Sequence, residues 1–359
     1  MTDLWQRLSE DPNPKILYGM GDGADKILAV CDTKGIEIAG VFASDGFARG
    51  NLFHGMPVGD YRTTCQIYEE FTVLLCFATR REEVLANIKR IAAERPLYVP
   101  DVPIAGSELF DGCFFEKNKE NFEAARRCFA DERSKKVFDL ILQSKLHGDL
   151  EALFSETSSA EEDFSELLHG ENYRFCGDFG AYTGDTVKEF LRFCPGIQEI
   201  TAVEPDPKTF RKLQKNTEEL PVLPVEGAVW DNEELLPFKA AGGRGAGIRG
   251  QGPGASVGVA EKKQRFVRGF RGDTLFEDKK VDFLKFDVEG AEQKALWGLH
   301  NTIERDQPEM LVSCYHRPED LYALPLYLKE RYPFYDLYLR RRSGVPAWDI
   351  NLYAIPKTV

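Results

Sequence analysis

The sharpest chemistry near the middle of the chain lies in Asp178-Phe179-Gly180-Ala181-Tyr182-Thr183-Gly184-Asp185. The segment follows an apolar run and opens a helical pattern. Glycines at such a turn let backbone come close to a ligand, and the helix start presents free N–H groups. A pyrophosphate turn should read G-x-G-x-x-G with no acid just before it. Here Asp178 precedes the first glycine, and Gly180 and Gly184 are four apart. An acid in that place suits a cationic ligand end, such as the amino group of a methionine moiety. The expectation is therefore S-adenosylmethionine rather than NAD, with a plain tight turn as the alternative. Ala181, Tyr182 and Asp185 complete this set.

Three further segments extend it. Glu204 ends the next apolar run, about 20 residues after Gly184, where a carboxylate can accept both hydroxyls of a ribose. Asp206 follows; it is counted among the cofactor-binding candidates and, before Pro207, also forms a cap-and-N1 pair for a helix. In Glu226-Gly227-Ala228-Val229-Trp230-Asp231, small Gly227 and Ala228 let backbone groups read an adenine edge. Lys285-Phe286-Asp287-Val288-Glu289-Gly290-Ala291-Glu292 then ends another strand-like run in acids. Such carboxylates can orient a hydroxyl, take its proton or hold a cation. Glu292 also suits a simple helix-start charge. After the next run comes Cys314-Tyr315-His316-Arg317, where His316 is a candidate general base near neutral pH. Asp287 and His316 are thus the catalytic candidates, and Asp287 also belongs with the cofactor set. No metal is required by spacing, although Asp287, Glu289 and His316 form a conceivable cation set.

Alternating strands and helices must position these residues. In the front part, Lys15–Tyr18, Ile36–Ala43, Phe71–Ala78 and Leu97–Val99 read as strands, with helices over Ala24–Cys31 and Arg81–Arg95. In the rear part, strand patterns fall at 174–179, 200–203, 222–225, 281–286, 310–314, 334–339 and 350–355. The last two read as a hairpin that adds an antiparallel end to a parallel sheet. Residues 116–169 carry helical spacing at Phe122, Ala125, Phe129, Val137, Leu140 and Ile141. The expected organisation is a Rossmann-like α/β domain over 1–110, a helical connector over 111–170, and a domain over 171–359. The glycine-rich stretch 241–254 reads as a disordered connector or as a lid over the site. Arg265–Arg271 and Arg340-Arg341-Arg342 read as solvated faces.

The 359 residues include 43% hydrophobic side chains, enough for a core, and carry a net charge of −13. That charge disfavours a nucleic-acid or anionic-membrane partner. No apolar run approaches the roughly 20 residues of a membrane span, and the N-terminus has no apolar signal core. None of the eight cysteines has a CxxC neighbour, so reduced thiols of a cytoplasmic protein are expected.

Together DFGAYTGD, AVEPD, EGAVWD, VDFLKFDVEGAE, SCYH and the closing LYAIP resemble the FkbM family of S-adenosylmethionine-dependent methyltransferases. The resemblance runs from about residue 172 to the C-terminus. It implies a class I, Rossmann-like methyltransferase fold with a seven-stranded, mostly parallel sheet. It also implies O-methylation of a small-molecule acceptor, such as a sugar or nucleotide-sugar hydroxyl. Tyr182 stands where the family's first motif more often has Asn. The front part is similar to small Rossmann-like nucleotide-binding domains, with Gly19, Gly21 and Gly23 as the phosphate turn and Asp45 as the acid after the second strand. Two rival functions remain: a nicotinamide-dependent oxidoreductase or epimerase using the front unit, and a non-catalytic cofactor- or nucleotide-binding protein. A connector helix and an extra sheet edge leave room for a homodimer.

Overall fold

The structure is a computed structural model and describes residues 2–44, 50–239, 247–248 and 265–357. Three sheets organise it. The first contains β1 (Lys15–Tyr18), β2 (Ile38–Phe42), β3 (Leu52–Phe53), β4 (Met56–Gly59), β5 (Thr72–Leu75) and β6 (Leu97–Tyr98), in the order β3-β4-β2-β1-β5-β6. Its pairings are parallel except for β3 with β4. The short β3–β4 hairpin lacks the alternating pattern of a long strand and was not evident in the sequence.

The seven-stranded sheet contains β7 (Phe175–Phe179), β8 (Glu199–Glu204) and β9 (Val222–Glu226). A small four-stranded sheet follows in the chain, from β10 (Ala228–Trp230), β11 (Glu234–Lys239), β12 (Gly247–Ile248) and β13 (Arg265–Arg271). The large sheet resumes with β14 (Phe283–Phe286), β15 (Glu309–Ser313), β16 (Tyr335–Arg341) and β17 (Ile350–Pro356). Its order is β16-β17-β15-β14-β7-β8-β9, and only the pairings of β17 are antiparallel. The order reverses outward from β7 and β14, so their carboxyl ends flank the switch point where ligands bind in open α/β sheets.

Local chemistry explains the elements that matter here. β14 and β15 are buried along their whole length, as central parallel strands must be. Asp206 Oδ1 accepts from the N–H groups of Lys208 and Thr209, both at 2.9 Å, and Pro207 starts the helix Pro207–Asn216. Between the two larger sheets lie five helices from Gly112–Lys117 to Ala160–Glu166. They do not stand apart from the core. Phe122, Phe138 and Ile141 are buried in the same apolar cluster as Phe286, Leu324 and Leu339, and the Phe122 ring meets Tyr322 edge-on at 5.0 Å.

The arginines of β16 correct an expectation. Arg340 and Arg341 are 3% and 2% exposed rather than solvated. The reason is that the helix Glu132–His147 covers this edge strand. Arg340 donates to Asp131 Oδ2 at 2.8 Å and Ser134 Oγ at 2.9 Å. Arg341 donates to the carbonyls of Leu153 and Gly344. Arg342 pairs with Asp163, which also takes the Tyr353 hydroxyl at 2.6 Å. Arg265–Arg271 is strand β13, with Arg265 and Arg268 exposed and Val267 and Phe270 buried. Most of the glycine-rich stretch 241–254 lies outside the described residues.

Asp163 is 1% exposed, so its removal strands a guanidinium and a phenol. Asp163→Ala is expected to lower stability by about 3 kcal/mol, read as an earlier urea midpoint with an unchanged slope. A loss below about 1 kcal/mol would show that water replaces the carboxylate there.

Candidate active site

A cavity of about 410 Å³ opens where β7, β8, β14 and β15 end, with Gly180, Glu204, Asp287 and Ser313 in its wall. It has two ends. Gly180, Tyr182, Asp185, Glu204, Gly227 and Ala228 line one. Tyr315, His316, Trp348, Asp349, Asn351 and Tyr353 line the other, with Arg80 and Ile104 from the front part of the chain.

The glycine turn is built for close approach. Gly180 has φ +80°, and a Cβ there would lie 1.9 Å from the Asp287 carbonyl oxygen. The backbones leaving β7 and β14 are therefore pressed together. Tyr182 also has positive φ, at 48°, a conformation that Asn adopts more readily than Tyr. That is a physical reason for Asn to be common at this place. Gly184 caps the helix Asp185–Phe193 in the left-handed region. Glu204 Oε2 accepts from Tyr182 N–H at 3.0 Å and its Oε1 from Asp206 N–H at 2.8 Å. Gly227, at φ +143°, presses on the Arg268 carbonyl.

Some expected residues are elsewhere. Asp178 is fully buried and absent from the cavity wall. It lies opposite Lys285 in the β7–β14 register and pairs with its Nζ at 3.0 Å. The expected contact between Asp178 and a ligand amine is thus replaced by an ion pair within the sheet. Ala181 is buried in the core beneath the turn, and Asp206 is committed to its helix cap. Asp45 lies outside the described residues. In the front turn, a Cβ on Gly19 would sit 2.6 Å from the Phe77 ring, and one on Gly23 would sit 2.3 Å from the Cys76 carbonyl oxygen. Tight packing accounts for both. The helix that follows begins with Asp22 and Asp25, and carboxylates there oppose a phosphate.

Lys285 was missed as a site residue. It lines the cavity, 3.9 Å from Asp287 Oδ2. Burial disfavours its charge, but Asp178 and Asp287 outweigh that and hold it above the ordinary lysine value. The signal was present: Lys285 and Asp287 are two apart on one strand and share a face. Burial raises Asp287, yet Lys285 and His316 overcome this and hold its carboxyl below the usual range. Tyr315 donates its hydroxyl to Asp287 Oδ1 at 3.3 Å.

His316 is 1% exposed. Its Nε2 lies 3.3 Å from Asp287 Oδ1 and 3.7 Å from Glu289 Oε2, and its Nδ1 lies 3.0 Å from Glu292 Oε1. Burial opposes a charge on the ring, but Glu292, Asp287 and Glu289 push it up to about 10. A neutral imidazole base near pH 7 does not fit this surrounding, so that expectation is corrected: the ring serves as an N–H donor. The three residues of the expected cation set do converge, on the cavity side of the ring. Glu292, which looked like a helix-start charge, instead turns back to accept from Val288 and Gly290 N–H at 3.0 and 3.3 Å.

This sheet order and this cavity define a class I methyltransferase domain. Residues 178–335 match the model of the methyltransferase FkbM domain. The FkbM methyltransferase structure from Methylobacillus flagellatus KT superposes with a TM-score of 0.71 at 17% identity, covering 96% of this chain and 90% of that one. The fold likeness therefore extends to the front part. Aeropyrum pernix fibrillarin, solved with S-adenosyl-L-methionine, aligns over 51% of this chain and 66% of its own, at 15% identity and TM-score 0.32. The precorrin-6y C5,15-methyltransferase of Geobacter metallireducens GS-15 aligns over 56% and 92%, at 10% identity and TM-score 0.35. No curated protein matches the sequence.

The Asp178–Lys285 pair yields a direct test. Asp178→Asn leaves the buried Lys285 ammonium with only the longer contact to Asp287. The expected cost is about 3 kcal/mol of stability, read by denaturant unfolding. The double variant Asp178→Asn, Lys285→Met should recover most of it. A single variant as stable as the parent would remove the pair from its central place.

Proposed function

We propose that the protein transfers a methyl group from S-adenosylmethionine to a hydroxyl oxygen of a sugar or comparable small molecule. The carrying observation is Asp287: a carboxylate at the switch point, where the two ends of one cavity meet, with Tyr315 and His316 around it. The proposed organisation keeps the front sheet over 1–110, the helices over 111–170 and the methyl-transfer unit over 171–359.

The residues present suit the cofactor. Each Glu204 oxygen receives one backbone N–H and so keeps a lone pair for a ribose hydroxyl. Gly180 and Gly227 keep the wall free of side chains, and the volume falls within the range of small-ligand sites. In this reading Glu204 holds the ribose, Gly227 and Ala228 border the base, and Tyr182 and Asp185 border the remainder. When bound, the cofactor supplies an electrophilic sulfonium methyl. Asp287 would accept a hydrogen bond from the acceptor hydroxyl and take its proton as the oxygen–methyl bond forms. The products are then the methyl ether, S-adenosylhomocysteine and a protonated Asp287. Tyr315 and the His316 N–H steady that carboxylate. Trp348, Asn351 and Arg80 border the acceptor's place. Among the described residues no helix is long and apolar enough to cross a membrane.

Two outcomes check this reading. Asp287→Asn should lower kcat by a factor on the order of 10² or more, followed with labelled cofactor and a panel of sugar hydroxyls. Binding of S-adenosylhomocysteine by calorimetry should change by less than about tenfold. Unaltered turnover would dismiss Asp287 as the proton acceptor.

The second concerns pH. Burial pushes the Glu204 carboxyl up to about 7, partly offset by the N–H groups of Asp206 and Tyr182. Ribose hydroxyls need the ionised form. Affinity for S-adenosylhomocysteine should therefore rise by about tenfold from pH 6 to pH 8 and flatten above. For folding of the free protein the sign is opposite. The raised carboxyl contributes stability below its unfolded value of roughly 4.5, which is lost as pH rises through about 7. Glu204→Gln should remove the pH dependence of binding. A pH-independent affinity in the parent would dismiss Glu204 as the ribose ligand.

A further inference from the structure

Three buried groups converge at the His316 ring, which lines the cavity, while Glu292 and Asp320 are absent from its wall. Glu292, His316 and Asp320 are 1%, 1% and 7% exposed. Glu292 opens the helix Glu292–Gly298, Asp320 opens the helix Asp320–Arg331, and His316 follows β15. One ligand-type atom from each lies within 4.8 Å of the others. A cation with bonds of about 2.0–2.2 Å holds its ligand atoms roughly 3–4 Å apart, so the cluster needs only a small contraction.

The hydrogen bonding is incomplete in a specific way. Glu292 Oε1 is fixed by two backbone N–H groups, whereas its Oε2 is buried with no hydrogen-bond partner. His316 Nδ1 faces Glu292 Oε1 at 3.0 Å as an ion pair, without meeting hydrogen-bond geometry. Asp320 Oδ2 takes the Arg317 N–H at 2.8 Å, and this anchors the third carboxylate. A buried carboxylate oxygen left without a partner is costly. On the opposite side of the ring, Nε2 faces the Asp287 carboxylate at 3.3 Å. A metal-bound histidine characteristically donates its second N–H to a carboxylate in this way.

We propose that Glu292, His316 and Asp320 bind one divalent transition-metal ion through Glu292 Oε2, His316 Nδ1 and an Asp320 oxygen. One imidazole nitrogen with two carboxylates is a mixed N/O donor set that suits Zn²⁺ or Mn²⁺. Binding would displace the Nδ1 proton of the ring, and two carboxylates, one divalent ion and the ring so neutralised sum to zero charge, which makes the buried set tolerable. The ion would fix the ring so that Nε2–H points at Asp287. The binding site itself does not depend on the methyl-transfer reading.

The test uses the full wild-type chain. Protein is stripped with chelator, incubated with ZnCl₂, MnCl₂ or CoCl₂, freed of loose metal and analysed by elemental mass spectrometry. About one ion per chain is expected, with a raised melting temperature and, for Co²⁺, visible absorption bands. Glu292→Gln and Asp320→Asn should each weaken retention by at least about tenfold, with folding checked by circular dichroism. No retained ion and no melting shift in the wild type would overturn the site. Equal retention by both folded variants would overturn it too, since the ion would then sit elsewhere. Calorimetry with S-adenosylhomocysteine on stripped and loaded protein reads the cofactor end separately, so a failed metal site leaves the methyl-transfer reading intact.

Discussion

The ion pair between Asp178 and Lys285 is the constraint on which the rest of the site depends. It joins the two central strands of the large sheet at directly opposed positions, with both side chains buried. Neither group is tolerable there alone, because an unpaired charge in such a place costs several kcal/mol. The pair therefore helps to fix the β7–β14 register. Two residues beyond Lys285 on the same face stands Asp287, and two beyond Asp178 stands Gly180. The contact of Gly180 with the Asp287 carbonyl follows from that register. One interaction thus aligns the glycine turn at one end of the cavity with the carboxylate at its centre.

Around this centre the cavity is completed from far along the chain. Thr79 bridges to Val345, and Arg80 donates to Asp349 Oδ2 at 2.7 Å. Ala105 N–H donates to the His316 carbonyl at 2.9 Å, and a Cβ on Gly290 would meet Ala105. The front part of the chain is therefore tied to the loops that border the cavity. These ties also explain why its glycine turn can be a packing feature rather than a phosphate cradle. Arg80 and Ile104 of that unit are occupied with walling the cavity, and the helix after the turn begins with two acids.

Much of this was legible in the sequence. Apolar runs located the buried strands of both large sheets, because a parallel strand covered on both faces cannot carry polar alternation. Glu204 was assigned on spacing, and the structure puts it in the cavity wall, whereas Asp206, counted with the cofactor candidates, serves the helix cap that the Asp-Pro pair also signalled. The misreadings share one cause: a charged residue looks like a surface or ligand group until its partner is known. Asp178 has its partner 107 residues away, in Lys285. Arg340 and Arg342 find theirs 209 and 179 residues away, in Asp131 and Asp163. The small sheet escaped for a related reason. β10 and β13 pair across a glycine-rich segment, so neither strand has a local companion in the sequence.

The surroundings of His316 take that argument one step further. Asp287, Glu289 and Glu292 all come within 4 Å of one ring, and Asp320 lies next to Glu292. Burial weakens water's help, so these carboxylates demand positive charge from within the protein. Lys285 reaches only Asp287 among them. The His316 ring lies against Glu289 and Glu292, and Asp320 rises to about 8, through its own burial first and then through Glu292. An array of acids that leans on one ring is poorly suited to a residue that must release and recover a proton in each turnover. It is well suited to holding that ring still. Asp287 and Glu289 are the members of the group that line the cavity, and in the proposed reading the proton falls to Asp287 while Glu292 and Asp320 fix the ring that stands beside it.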